Sequence, residues 1–164
     1  DPVMVAKGGA ALLEADAVRT LIRRIVPLAT VLTPNLPEAE ALCGLTIADT
    51  GDMEKAGYTL LELGAQTALV KGGHMSDKMV HDILVTADGV EAFVAPRTNT
   101  RHTHGTGCTL ASAIATGIAQ GMVPRDAVAR AQAYVHEAIL RAPGLGRGHG
   151  PIGHAHTVQA FQVD

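Results

Sequence analysis

The run Asn99-Thr100-Arg101-His102-Thr103-His104-Gly105-Thr106-Gly107-Cys108-Thr109 sets two glycines, a thiol and several hydroxyls in front of a helix-forming stretch of Ala, Ser, Thr and Ile. Gly105 and Gly107 allow a sharp turn and a close backbone approach to a ligand. The helix start behind them leaves N–H groups without intrahelical partners. Its dipole adds about half a positive charge there. Together these features read as an anion site, with Thr103, Thr106 and Thr109 crowding polar donors around it. The plainer alternative is a glycine-rich helix start that binds nothing. Two familiar phosphate signatures are excluded. No G-x-x-x-x-G-K-[ST] occurs, and the last glycine of a G-x-G-x-x-G would fall on Leu110.

Cys108 lies just inside this turn, where a helix dipole favours thiolate, so it is a candidate base or nucleophile. The alternative is a small cysteine packed beneath the loop. Cys43, before Gly44 at a helix end, reads as packing only. A thiol hydrolase would pair Cys108 with His102 or His104. A zinc site would draw on His102, His104, His149, His154 and His156, but no Cys or carboxylate is placed to join them, and solvated or backbone-bonded histidines are expected instead.

Three further polar clusters each follow a strand-like run. Thr33-Pro34-Asn35-Leu36-Pro37-Glu38 puts Asn35 and Glu38 on one face of a helical turn. They are either an ordinary cap with a first-turn acid, or a pair that orients phosphate or water-bound Mg²⁺. Lys71-Gly72-Gly73-His74 offers a compact positive charge to a phosphate, or a solvated lysine before a turn. Asp1-Pro2-Val3-Met4 offers a carboxylate. Each cluster alone is weak; four at strand ends are expected to converge on one rim, where open α/β sheets bind ligands.

The elements that must position them follow from periodicity. A short β-prone run covers Val3–Ala6. Val18, Leu21, Ile22 and Ile25 predict a helix over 16–26, capped by Asp16 and closed by Pro27. Thr30–Thr33 predicts a buried strand stopped by Pro34, and Asn35 then caps a short helix ending at Gly44. A helix over 52–63 and a strand over 67–71 follow. This strand–helix alternation predicts a mostly parallel sheet. Residues 80–86 and 90–95, joined through Ala87-Asp88-Gly89, predict an antiparallel hairpin added to it. A helix runs from the glycine turn to Gly121. A last one starts at Pro124, and the tail from Gly144 to His156 is rich in Gly and His.

The chain has 164 residues with a formal charge of −3; 47% are hydrophobic and 18% charged. That excludes a disordered chain and predicts one domain. Scattered Lys and Arg, 2% aromatics and no Trp argue against nucleic acid as a partner. No apolar run is long enough to span a membrane, and no signal peptide opens the chain. Two cysteines form no disulfide framework, so a reduced, cytoplasmic setting is expected. Asp1-Pro2-Val3-Met4-Val5 reads as the interior of a larger domain.

The chain resembles the C-terminal part of hydroxymethylpyrimidine/phosphomethylpyrimidine kinases, of the ribokinase superfamily. The resemblance is carried by D-P-V-M-V-A-K-G-G (1–9), T-P-N-L-P-E-A-E (33–40) and V-K-G-G-H (70–74). It continues in N-T-R-H-T-H-G-T-G-C-T-L (99–110) and G-H-G-P (148–151). It implies a three-layer, Rossmann-like α/β fold, with residues 1–164 forming the C-terminal portion of a single kinase domain. It implies ATP as co-substrate, Mg²⁺, and transfer of phosphoryl to 4-amino-5-hydroxymethyl-2-methylpyrimidine and then to its monophosphate. By the resemblance, Gly105, Thr106, Gly107 and Cys108 form the anion hole, and Cys108 stands where most of the superfamily has a catalytic Asp. Lys71 contacts ATP phosphates. Asn35 and Glu38 act on phosphates and Mg²⁺, Asp1 lies near the metal, and Val3 and Cys108 lie near the pyrimidine. A homodimer is also implied. The family's N-terminal portion has no counterpart here, so weak activity or dependence on a complementing chain is expected. The alternatives are a pyridoxal or pyridoxine kinase and an inactive nucleotide-binding fragment.

Overall fold

A computed structural model describes residues 1–4, 12–73 and 78–158. Val5 and Ala6, half of the expected first strand, and His74 lie outside the described residues. The chain forms two compact units, Asp1–Arg97 and Thr98–Asp164, each treated by itself.

In the first unit, helix α1 covers Ala15–Arg24. Val18, Leu21 and Ile22 turn inward at helical spacing and pack partly buried on the core. The cap position is Glu14, with no side-chain bond, and Asp16 falls in the first turn rather than at the expected cap. Pro27 converts the end of α1 into a 3-10 turn over Val26–Leu28. Helix α2, Leu36–Cys43, stops where Gly44 adopts φ 68°. Helix α3, Thr50–Glu62, is capped by Asp49, whose carboxylate accepts from the Asp52 N–H at 2.9 Å.

Three strands follow: β1 (Ala68–Lys71), β2 (Met79–Thr86) and β3 (Gly89–Pro96). They pair antiparallel in the order β1-β2-β3. Among the described residues, the parallel pairing predicted for Thr30–Thr33 is one isolated bridge, Leu32 to Ala68, with a second just beyond it, Asn35 to Lys71. The Leu32 N–H donates to Thr67 O, while the N–H groups of Leu69 and Lys71 donate to Leu32 O and Pro34 O. Pro34 has no N–H to continue the ladder, which keeps this run from becoming a full strand.

The core of this unit lies between α3 and the sheet. Met53, Ala56 and Leu60 of α3 are fully buried, as are Val70 and Val85. Gly57 lets α3 settle on β2, because a Cβ there would lie 2.3 Å from Val85 Cγ2. β3 alternates half-buried and exposed residues, as an outer strand does.

In the second unit, α4 (Thr106–Ala119) and α5 (Pro124–Leu140) form a hairpin. Gly117 allows close approach, since a Cβ there would lie 2.8 Å from Ala127 Cβ. Leu110 and Ile114 of α4 and Ala127, Val128 and Ala131 of α5 are buried. Gly121, at φ 86°, makes the turn between them. No helix among the described residues is long and apolar enough to cross a membrane.

Candidate functional site

The bridge between Asn35 and Lys71 sets two of the expected strand-end clusters side by side. Lys71 Nζ lies 2.9 Å from Asp1 Oδ1, with the two side chains 12% and 13% exposed. The same oxygen faces the hydroxyl of Thr33 at 3.4 Å. Thr33 is buried, as expected for the end of a buried strand, and its hydroxyl adds a partner for Asp1 that the sequence does not reveal. Asn35 and Glu38 make a full capping box. Asn35 Oδ1 accepts from the Glu38 N–H at 3.0 Å, and Glu38 Oε2 accepts from the Asn35 N–H at 2.8 Å. The plainer of the two expected roles is therefore built, and one oxygen of the buried Glu38 carboxylate is committed to it. Val3, by contrast, is 41% exposed, and Met4 takes the buried position beside it.

Two residues absent from the expectations anchor the turn after Lys71. Asp82, in register with Lys71 across β1 and β2, is buried and accepts from the Gly72 N–H at 2.9 Å. Arg97 Nη1 donates to Gly73 O at 2.9 Å. Gly72 tolerates no side chain, because a Cβ would fall 2.1 Å from His81 O. Hydrophobic periodicity does not single out Asp82, which opens the buried half of β2 just before Ile83, Leu84 and Val85.

The second unit holds the glycine turn. Gly105 caps α4 at φ 89°, a conformation glycine adopts freely, and nothing stands within 4 Å of the place its Cβ would occupy. The Thr106 hydroxyl donates to Thr103 O at 3.1 Å and closes the bend. Thr109 N–H already donates to Gly105 O. The amides of Gly105, Gly107 and Cys108 have no acceptor among the described residues. This is an open set of donors at the positive end of a 14-residue helix. Cys108 is exposed, so it is not the thiol packed beneath the loop. Cys43 is the packed one. Its thiol donates to Ala56 O at 3.5 Å, and burial pushes its pKa up to about 11.

Three of the five candidate histidines have ring partners within the second unit. Nδ1 of His149 faces Arg101 O, that of His156 faces Gly153 O, and that of His154 faces the Tyr134 hydroxyl. Among the described residues no three His, Cys, Asp or Glu side chains form a metal cage.

The described residues form helices and a sheet of the α/β class, and the comparisons show the family. Solved pyridoxal kinases have this fold: the Staphylococcus aureus enzyme in complex with ADP superposes with a TM-score of 0.89 at 32% identity, over 97% of this chain and 58% of that one. The chain belongs to the phosphomethylpyrimidine kinase family, whose model matches residues 1–153. It is 52% identical over 94% of its length to the thiamine biosynthesis bifunctional protein ThiED of Geobacter sulfurreducens, covering 31% of that protein. It is 43% identical to the hydroxymethylpyrimidine/phosphomethylpyrimidine kinase of Bacillus subtilis, over 94% of this chain and 57% of that enzyme. The chain thus spans less than two thirds of these relatives.

Proposed function

We propose that residues 1–164 are the C-terminal portion of a single kinase domain that carries phosphoryl from ATP to 4-amino-5-hydroxymethyl-2-methylpyrimidine, and then to its monophosphate. The observation that carries this reading is the open amides of Gly105, Gly107 and Cys108 at the start of α4, in a chain of this family.

Phosphoryl transfer needs positioning and charge stabilisation more than covalent chemistry. The three amides suit the negative charge that grows on the transferred group. Thr106 braces them through Thr103. In the first reaction the Cys108 Sγ takes the proton of the substrate hydroxyl as its oxygen bonds to the γ-phosphorus and the bond to ADP breaks. In the second, the acceptor is a phosphate whose second pKa is about 6, so it arrives largely ionised and needs no base.

Lys71, held by Asp1, presents its ammonium to ATP phosphates. Asn35 and Glu38 orient phosphates from the capped start of α2. Val3, with Cys108, borders the pyrimidine. The carboxylates of Asp1 and Glu38 are hard oxygen donors, and two such groups fit Mg²⁺, which keeps most of its waters and takes the rest of its ligands from substrate phosphates. When bound, the ion neutralises phosphate charge. The reading includes a cytoplasmic, homodimeric enzyme with small-molecule partners.

Likeness to solved pyridoxal kinases favours a second reading, phosphorylation of pyridoxal, whose hydroxymethyl group also hangs on a flat nitrogen heterocycle. Rates with the two substrates in parallel separate them. A faster reaction with the pyrimidine supports the first reading, and a faster one with pyridoxal replaces it.

A further inference from the structure

The glycine-rich tail and the segment before the phosphate turn are fastened together inside the second unit. The His104 N–H donates to Gly150 O at 3.0 Å, and His104 pairs with Pro151 in a parallel bridge. The Arg101 guanidinium reaches the carbonyls of Gly146 and Arg147 at 3.5 Å, and His149 Nδ1 returns to Arg101 O at 3.3 Å. His102 is the wedge between these strands of contact. Its own N–H is tied to Thr100 Oγ1 at 3.1 Å. A Cβ built on Gly150 would lie 2.2 Å from His102 Nδ1 and 2.6 Å from Leu145 O, and Gly150 is the buried residue of an otherwise exposed loop. Among the described residues the buried His102 Nδ1 has no hydrogen-bond partner. The ring is thus held by shape, at the expense of an unsatisfied nitrogen.

We propose that His102 is a positioning residue: its ring, seated against Gly150, holds the loop Gly144–Gly150 on the Arg101–His104 segment and thereby fixes the open amides of Gly105–Cys108. His104 is the link, since its N–H bonds to the loop and the next residue begins the turn. The consequence for phosphoryl transfer rests on the kinase reading, whereas the latch itself does not.

The test is backbone hydrogen exchange at residues 102–104, whose amides are hydrogen-bonded, that of His104 to Gly150 O, followed by mass spectrometry on the full chain. Removing the wedge with His102→Ala, or displacing it with Gly150→Ala, accelerates exchange there about tenfold or more while α5 is unchanged. His102→Phe keeps the ring, has no nitrogen to satisfy and retains the protection. The overturning results are unchanged exchange in His102→Ala, or loss of protection in His102→Phe equal to that in His102→Ala. Kinetics separate the two layers. A raised KM for ATP in His102→Ala supports positioning. Faster exchange with kinetics identical to the parent shows a merely structural latch and overturns the positioning role. If the full-length polypeptide bearing this chain transfers no phosphoryl, the kinase reading fails, and exchange of the His104 amide, bonded to Gly150 O, still decides the latch.

Discussion

An exposed thiol at the third position of α4 and a half-buried thiol at the end of α2 are the same functional group in opposite settings. Iodoacetamide is expected to modify Cys108 first, because Cys43 is half-buried and holds its proton up to about pH 11. Peptide mass spectrometry checks the order, and equal labelling contradicts it. The raised pKa also ties stability to pH. The folded state keeps the Cys43 proton after the unfolded chain, with its ordinary value of 9.0, has begun to lose it. Stability from this group is therefore full below 9.0 and is lost as pH climbs through about 11. Denaturant titrations across that window should show a decline that Cys43→Ala lacks. At Cys108 the prediction is catalytic. Cys108→Ala loses about 100-fold or more of the first phosphorylation, where a base is needed, and much less of the second. Equal losses in purified enzyme would remove Cys108 from the role of base.

Elements hold these residues through a few tight contacts. Gly57→Ala pushes a methyl into Val85 and is expected to cost about 1–3 kcal/mol by overpacking α3 on β2. Asp49→Ala, which removes the cap of α3, costs about 1 kcal/mol. Thermal or denaturant unfolding measures both, and a Gly57→Ala protein as stable as its parent would show that α3 does not lie on β2 as described. The same elements show what sequence can carry. The hairpin, the capped helix after Asn35 and the helix from Pro124 were legible because periodicity and punctuation by Gly, Pro and Asn are local signals. Pairing was less so. Thr30–Thr33 has a strand's composition, yet among the described residues its ladder shrinks to one bridge before Pro34, and the sheet it meets turns antiparallel at β2. Which strand pairs with which depends on partners remote in sequence. Asp82 and Thr33 went unnoticed as anchors for the same reason, since their roles appear only when β1 is laid between them.

For the whole molecule, the sequence motifs sort into two compact units, Asp1, Asn35, Glu38 and Lys71 in one and the Gly105–Cys108 turn in the other. That both are parts of one kinase is tested most directly by following label from γ-labelled ATP. The full-length polypeptide bearing this chain is incubated with magnesium and either 4-amino-5-hydroxymethyl-2-methylpyrimidine or pyridoxal. Label is expected in the pyrimidine, appearing faster than in pyridoxal and suppressed by Cys108→Ala at the first phosphorylation. Label that reaches pyridoxal faster, or neither acceptor, would contradict this.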